Sequence, residues 1–362
     1  MDSTQSPPRR VLLLSMPRTA SNLLLKILSI SDQPGAITND KGGYCFTPTY
    51  LKLIKDDLLS KPITQWTLKQ ALEVQGVLQQ CLETLEGSSA LARDEGKIFF
   101  VKEHISWLMN PATISKMLHD ADTTNGDASA AALMAPDYHS FFRVRVDNKY
   151  GRSKGLPPLN ETVLPDGYLA TWQLAFLIRH PALVFPSMYR ADRALKDLYP
   201  SGDNPFEGLL LESYLKVTLT LRWTRMLYDW CVRRKGQAHP IILDASDLIH
   251  NKGSMVKFCE QTGLDPTVLK FEWESVGPED KSSSGDGASE QDSILQKAET
   301  TMRTTLRGSS GVLKEKAPDV VDIASEAERW KHEFGDKVAN FILERVHEAM
   351  PDYEYLRQWR LV

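Results

Sequence analysis

The chain has few cysteines, no long apolar run and little net charge. Its 362 residues include four cysteines, far apart and without a Cys-x-x-Cys pair, which indicates neither a disulfide scaffold nor a zinc module. No stretch of about 18 apolar residues could span a bilayer, and the first apolar run stops at Pro17, too early for a signal peptide. The 43 basic and 47 acidic residues do not suit a nucleic-acid-coating protein. We expect a soluble, cytoplasmic protein with neither nucleic acid nor membrane as partner.

Short apolar runs alternate with amphipathic segments along the chain. Four continuous apolar runs predict strands covered on both faces, at 11–16, 97–102, 174–178 and 240–244. Helical spacing predicts helices at 21–28, 51–87, 184–194, 208–235, 252–262 and 319–350. This alternation indicates an α/β fold with a central parallel sheet flanked by helices.

The pattern predicts one main domain. Residues 1–10 form a polar, proline-containing tail, and residues 11–362 are expected to form a single α/β domain. Turn signals at about 31–95 and 118–170 predict helical and loop inserts over the active-site edge of the sheet. The low-complexity sequence PEDKSSSGDGASEQDS lies within a segment of about 276–313 that we expect to be mobile.

The sequence SMPRTASN, residues 15–22, lies between the first predicted strand and its helix. A loop at this place points backbone N–H groups and the positive end of the helix dipole to one spot, which suits a phosphate. The Walker pattern GxxxxGK[ST] has two glycines, a lysine and a magnesium-binding hydroxyl. At the corresponding positions this loop has Ser15 and Ala20 for the glycines, Ser21 for the lysine and Asn22 for the hydroxyl. The loop therefore predicts phosphate binding without ATPase chemistry. A plain strand-to-helix turn capped by Ser or Asn is the alternative.

Two further candidate sites follow predicted strands. In Lys102-Glu103-His104, strand alternation places Lys102 and His104 on one face and Glu103 on the other. Histidine accepts a proton near neutral pH, and an ammonium group stabilises an anionic transition state. Arg179 after the third strand and Ser187 on the next helix can grip a second phosphate. The alternatives are a structural histidine and a surface arginine with a capping role.

These three stretches, in this order, resemble the PAPS-dependent sulfotransferase family, whose sulfuryl donor is 3′-phosphoadenosine-5′-phosphosulfate (PAPS). PRTASNLL at 17–24 is similar to the family's phosphosulfate loop, and KEH at 102–104 is similar to its KTH element. The family's RxPxxxxxSxxR pattern is matched by Arg179, Pro181, Ser187 and Arg190. LDASDLIHNKGSMVKFCEQTGLD resembles the YEDL segment and the helix after it. The resemblance spans about residues 10–265.

The resemblance implies a P-loop-type enzyme that transfers a sulfuryl group from PAPS to a hydroxyl or amine of a small-molecule acceptor, without a metal. His104 would remove the proton of the acceptor, and Lys102 would stabilise the transferring group. The phosphosulfate loop corresponds to Arg18, Thr19, Ala20, Ser21 and Asn22. Arg179 and Ser187 would bind the 3′-phosphate, and Arg307-Gly308 stands near the place of the family's late RKG element. The resemblance also allows a homodimer.

Departures from the family pattern leave other functions open. Ala20 stands for the loop glycine, Leu23 for an aromatic residue that often stacks on adenine, and Ala245 for the tyrosine of YEDL. One alternative is an altered or inactive protein that binds nucleotide or assists a biosynthetic step without net sulfation. Another is sulfation that makes a leaving group for later elimination or cyclisation in a small-molecule pathway. Glu103, where the family often has threonine, is a second candidate base.

Overall fold

In the computed structural model, the described residues are 10–39, 42–119, 137–150, 160–197, 207–234, 239–274, 300, 306, 308–318 and 320–362. The tail before Arg10, parts of the insert at 118–170 and most of the segment at 276–313, Arg307 included, lie outside this part of the chain. The boundaries of the single domain stay a prediction.

Parallel strands form the centre of the fold. The strands are β1 (Arg10–Ser15), β2 (Ala36–Ile37), β3 (Ile98–His104), β4 (Gln173–Ile178) and β5 (Ile241–Asp244). They form a five-stranded sheet in the order β2-β3-β1-β4-β5, in which every pair is parallel. The α/β fold with a P-loop-type central sheet is thereby confirmed. Strand β2 was not predicted, because two residues are too short to give an apolar run.

Helices cover both faces of this sheet. The α-helices are α1 (Ser21–Ile27), α2 (Thr47–Lys55), α3 (Leu68–Asp94), α4 (Pro111–His119), α5 (Tyr138–Phe141), α6 (Asp166–Leu169), α7 (Pro181–Asp197), α8 (Glu212–Thr218), α9 (Arg222–Val232), α10 (Ala245–His250), α11 (Lys252–Thr262), α12 (Ile323–Phe334) and α13 (Asp336–Gln358). Short 3-10 helices lie at Ile30–Asp32, Ile63–Gln65, Ile105–Leu108, Asn148–Tyr150, Glu207–Leu210, Pro266–Val268 and Lys314–Lys316.

Three of the predicted helices are wrong in extent. The segment 208–235 contains α8 and α9, because Leu219 leaves the helical backbone at φ −90° and ψ 62°. The Trp223 indole N–H donates to the Val217 carbonyl over 2.9 Å and so satisfies a carbonyl near this helix end. The segment 319–350 is divided into α12 and α13 at Gly335, whose φ of 81° favours glycine. The segment 51–87 is likewise divided between α2 and α3. At Leu219 and Gly335 the apolar pattern continues across the break, whereas Pro62 lies between α2 and α3.

The two faces of the sheet pack in separate apolar clusters. Leu12 and Leu14 of β1 face a large cluster with residues of α2, α3, α4, α7, α8, α9, α12 and α13. Val11 and Leu13 face a smaller cluster with residues of α1, α10 and α11. The neighbours of β1 are β3 on one side and β4 on the other. The carboxyl ends of these three strands therefore frame a crevice at a switch point of the sheet, where α/β proteins bind ligands.

Candidate active site

The turn between β1 and α1 has an unusual backbone. Arg18 and Ala20 have φ values of 69° and 66°, in the left-handed region, which costs an ordinary L-residue about 1–2 kcal/mol. Thr19 is fully buried, and its hydroxyl donates to the Met16 carbonyl over 2.7 Å. Ser21 is the buried first residue of α1. The sharp turn is thus formed although alanine occupies the glycine position.

Lys102 is fully buried at the carboxyl end of β3. Its Nζ donates to Oδ1 of Asn22 over 2.6 Å and lies 4.2 Å from the ring centroid of Tyr44. A cation over an aromatic face is attracted by the ring quadrupole. Asn22 of α1 and Tyr44 therefore hold the ammonium group between the β1 loop and the segment that precedes α2.

His104 lies two residues further along β3, on the same face as Lys102. Its Nδ1 is 3.1 Å from the Ser15 hydroxyl at the end of β1. The His104 ring contacts Tyr44 at 5.0 Å and Trp107 at 4.6 Å between centroids. Burial, and then the charge of Lys102, hold the pKa of His104 well below its usual value. The imidazole is therefore neutral at physiological pH and able to accept a proton.

Glu103 points to the opposite face of β3, as strand alternation predicts. One of its carboxylate oxygens accepts a hydrogen bond from the Cys45 amide, just before α2. Burial raises the pKa of Glu103 to about 8. This side chain is directed to the start of α2 and away from His104. Its hydrogen bond to Cys45 holds the 42–46 segment in place.

The 42–46 segment runs along the end of β3. Gly42 O accepts from Lys102 N over 3.1 Å, and Tyr44 N donates to Lys102 O over 2.8 Å. Gly43 lies between them at φ 147°, and a Cβ there would stand 1.9 Å from Lys102 O. Only glycine permits this approach. Tyr44 itself has a φ of 67°, so the backbone is strained at the place where its ring covers Lys102 and His104.

Two guanidinium groups lie beside the β1 loop. Arg18 Nε donates to the Ser187 hydroxyl of α7 over 3.2 Å, and Arg179 Nη1, after β4, donates to Arg18 O over 3.0 Å. Burial lowers the pKa of Arg18. Burial, together with the charge of Arg18, lowers the pKa of Arg179 to about 10. The cluster therefore concentrates positive charge in a poorly hydrated place, which favours an anionic ligand.

The late segment reaches the same cluster. Arg179 Nη2 donates to Lys316 O over 2.8 Å, which ties residues 308–318 to the end of β4. Gly308 is exposed at a turn near the beginning of this segment. By contrast, Arg190 is exposed and pairs with Glu333 through two hydrogen bonds of 2.6 Å. Arg190 is therefore committed to an ion pair outside the cluster.

The structure thus brings most predicted site residues together at three strand ends, and it adds others. Tyr44 and Trp107 contact Lys102 or His104 and were not singled out as site residues from the sequence, whereas Ser15, which contacts His104, was named only as part of the phosphate loop. The Gly42-Gly43 pair was a usable signal for a turn just before Tyr44, because paired glycines mark turns. Trp107 carried no such signal.

Among the described residues, no group of three or more His, Cys, Asp or Glu side chains could hold a metal ion. None of the helices in that part of the chain is long and apolar enough to cross a membrane.

No family model matches this chain. No solved structure matches it either. A protein named sulfotransferase ppzF from Metarhizium majus (strain ARSEF 297) is 32% identical over 379 residues, covering 100% of this chain and 99% of that protein. Sulfotransferase ppzF from Metarhizium rileyi (strain RCEF 4871) is 32% identical over 371 residues, covering 100% of this chain and 98% of that protein. With full-length relatives at this identity, the chain belongs to the sulfotransferase family.

Proposed function

We propose that this chain transfers a sulfuryl group from PAPS to a hydroxyl or amine of a small molecule. The observation that carries the proposal is the placement of a buried ammonium, Lys102, and a neutral imidazole, His104, on one face of β3 beside the β1 loop. Family membership supports sulfuryl transfer, whereas PAPS and the class of acceptor are part of the proposal. A homodimer and a cytoplasmic location stay predictions.

The charges near the β1 loop fit a donor with two anionic groups. Arg18 and the loop residues Thr19 to Asn22 would hold the phosphosulfate, and Arg179 with Ser187 would hold the 3′-phosphate. Guanidinium groups in a desolvated cluster form strong charge-assisted hydrogen bonds to phosphate oxygens. Arg307-Gly308 would take the place of the family's late RKG element. PAPS, when bound, would supply the activated sulfuryl group.

The end of β3 provides the groups that the acceptor needs. With the His104 Nδ1–H donating to the Ser15 hydroxyl, Nε2 would be the unprotonated ring nitrogen that takes the proton of an acceptor hydroxyl or amine. Lys102 provides positive charge next to this base, and Asn22 fixes the direction of the ammonium group. Preorganised charge and positioning are the main contributions that such a transfer requires.

A second candidate function is nucleotide binding without net sulfation. The low pKa of His104 makes it a weak base, and Ala245 is fully buried where the family has a tyrosine. The left-handed backbone of Ala20, however, preserves the turn of the loop. Donor binding is therefore expected under both functions, and turnover separates them.

Calorimetric titration with 3′-phosphoadenosine 5′-phosphate (PAP), the desulfated donor, tests the proposal. We expect PAP to bind tighter than ADP by about 10- to 100-fold, because a phosphate held by a buried guanidinium gains about 1.5–3 kcal/mol. Arg179→Ala should remove this preference. Arg190→Ala is the matched control, since this arginine already pairs with Glu333 on the protein surface.

The outcome distinguishes the functions. PAP binding that needs Arg179 justifies an acceptor screen in which His104→Ala should lower turnover by about 10²- to 10⁴-fold, the usual contribution of a general base. Binding without sulfation of any acceptor would favour the second candidate. Equal binding of PAP and ADP by the wild-type protein would refute the donor assignment.

A further inference from the structure

Tyr44 is a large residue in a backbone conformation that favours glycine. Its φ of 67° lies in the left-handed region, where the Cβ of an ordinary L-residue crowds the following carbonyl oxygen. Strained residues persist where the surrounding structure over-determines them, and they cluster at functional sites. Two features of the structure explain why a tyrosine occupies this position: the bonds that hold its backbone and the groups that its ring contacts.

Hydrogen bonds to β3 hold the backbone around Tyr44. Lys102 N donates to Gly42 O over 3.1 Å, and Tyr44 N donates to Lys102 O over 2.8 Å. The next amide, of Cys45, donates to the carboxylate of Glu103, which is fully buried. A relaxed backbone at Tyr44 would have to break these bonds. The segment is therefore fixed at the carboxyl end of β3 together with the direction of the Tyr44 side chain.

The ring of Tyr44 contacts both candidate reacting groups of β3. Lys102 Nζ lies 4.2 Å from its centroid, and the centroid of the His104 ring lies 5.0 Å away at an interplanar angle of 51°. Trp107 continues the aromatic contact, with its ring 5.4 Å from Tyr44 and 4.6 Å from His104. One aromatic side chain thus spans the ammonium group and the imidazole.

The ammonium group of Lys102 needs such contacts because it is removed from water. Lys102 is 0% exposed, and a buried charge is costly unless it is paired or hydrogen-bonded. The Asn22 side chain accepts a hydrogen bond from Nζ, and the ring of Tyr44 attracts the cation through its quadrupole. The amide oxygen and the ring together define one place for Nζ, two residues before His104.

We propose that Tyr44 is a positioning residue whose ring fixes the ammonium group of Lys102 beside His104, so that the positive charge and the base face one reaction centre. Groups held in the reacting geometry before the reaction contribute strongly to its rate. Tyr44 acts through its aromatic face, and the role does not require its hydroxyl group. The inference rests on the proposed function, because it assigns Tyr44 to the same transfer reaction.

Nuclear magnetic resonance of protein with isotope-labelled lysine measures the position of Lys102 without donor or acceptor. The two ε-protons of Lys102, identified by their loss in Lys102→Arg, should give separate signals that the ring current of Tyr44 displaces upfield. In Tyr44→Leu the signals should merge near those of exposed lysines, whereas Tyr44→Phe should keep them displaced. Tyr189→Leu is the matched control, because Tyr189 is also half-buried but its ring contacts Phe334.

Turnover tests the consequence for the reaction. With an acceptor found by the acceptor screen, Tyr44→Leu should lower kcat by about 10- to 100-fold, as expected when a reacting group loses its fixed position. Its affinity for PAP should stay unchanged, because PAP carries no sulfuryl group. Tyr44→Phe should restore most of the lost turnover. Phenylalanine with successively more ring fluorine atoms at position 44 keeps the shape of the ring but weakens its negative face, so kcat should fall stepwise.

The results separate the two proposals. Lys102 signals that stay displaced in Tyr44→Leu overturn the positioning role, and so does a kcat that is equal in Tyr44→Leu and the wild-type protein. Failure of the wild-type protein to bind PAP refutes the proposed function instead, whatever the Lys102 signals show. If Tyr44→Leu does not fold, the fluorinated series decides the question, because the separation of the two ε-proton signals should narrow stepwise along it. A constant separation overturns the role of Tyr44.

Discussion

Replacing Ala20 by glycine tests whether the strained turn of the β1 loop is maintained by the rest of the fold. Ala20 has φ 66° and ψ 24°, a conformation that costs a residue with a Cβ about 1–2 kcal/mol. Glycine removes this cost but loses about 0.5–1 kcal/mol more conformational freedom on folding. The balance predicts that Ala20→Gly stabilises the protein by about 0.5–1 kcal/mol.

Urea unfolding monitored by tryptophan fluorescence measures this effect. Ala90→Gly is the control, because Ala90 lies within α3, where glycine should destabilise by about 1 kcal/mol. The two alanine-to-glycine substitutions should therefore have opposite signs. If Ala20→Gly destabilises the protein as much as Ala90→Gly does, the turn is not strained and the reasoning is wrong. Titration with PAP should give equal affinity before and after the substitution, since the backbone keeps its direction.

Two further predictions concern the end of β3. Gly43→Ala should destabilise the protein by at least about 3 kcal/mol in urea unfolding, because the new Cβ would lie 1.9 Å from Lys102 O. The control is Gly76→Ala, which has open space around it on α3 and should be neutral or stabilising. Equal effects of the two substitutions would contradict the close approach of Gly43 to Lys102. The raised pKa of Glu103, about 8, means that the folded state holds a proton which the unfolded state loses above about pH 4.5. Stability should therefore fall between about pH 5 and pH 8, by on the order of 4 kcal/mol at most. Glu103→Gln should flatten this profile, and an unchanged slope would refute the shift.

Much of the fold could be predicted from the sequence because the strands of a parallel sheet are buried on both faces. Their apolar runs are therefore visible without any tertiary information, and the runs at 11–16 and 174–178 became β1 and β4 nearly at the same bounds. Helix ends were less predictable. At Gly335 and Leu219 the apolar period continues while the backbone turns, so the breaks depend on packing and on local hydrogen bonds.

The sequence by itself determined which residues follow the strands, and with them the β1 loop, the Lys102–His104 pair, and Arg179 with Ser187. Only the tertiary structure decided which side chains meet there. Lys102 contacts Asn22 across 80 positions, and Tyr44 reaches both Lys102 and His104 through a strained turn. Local patterns can be recognised in the sequence because the backbone geometry of a short segment depends mainly on its own residues. Contacts between distant segments, such as the hydrogen bond between Arg18 and Ser187, follow from the packing of helices that no local pattern describes.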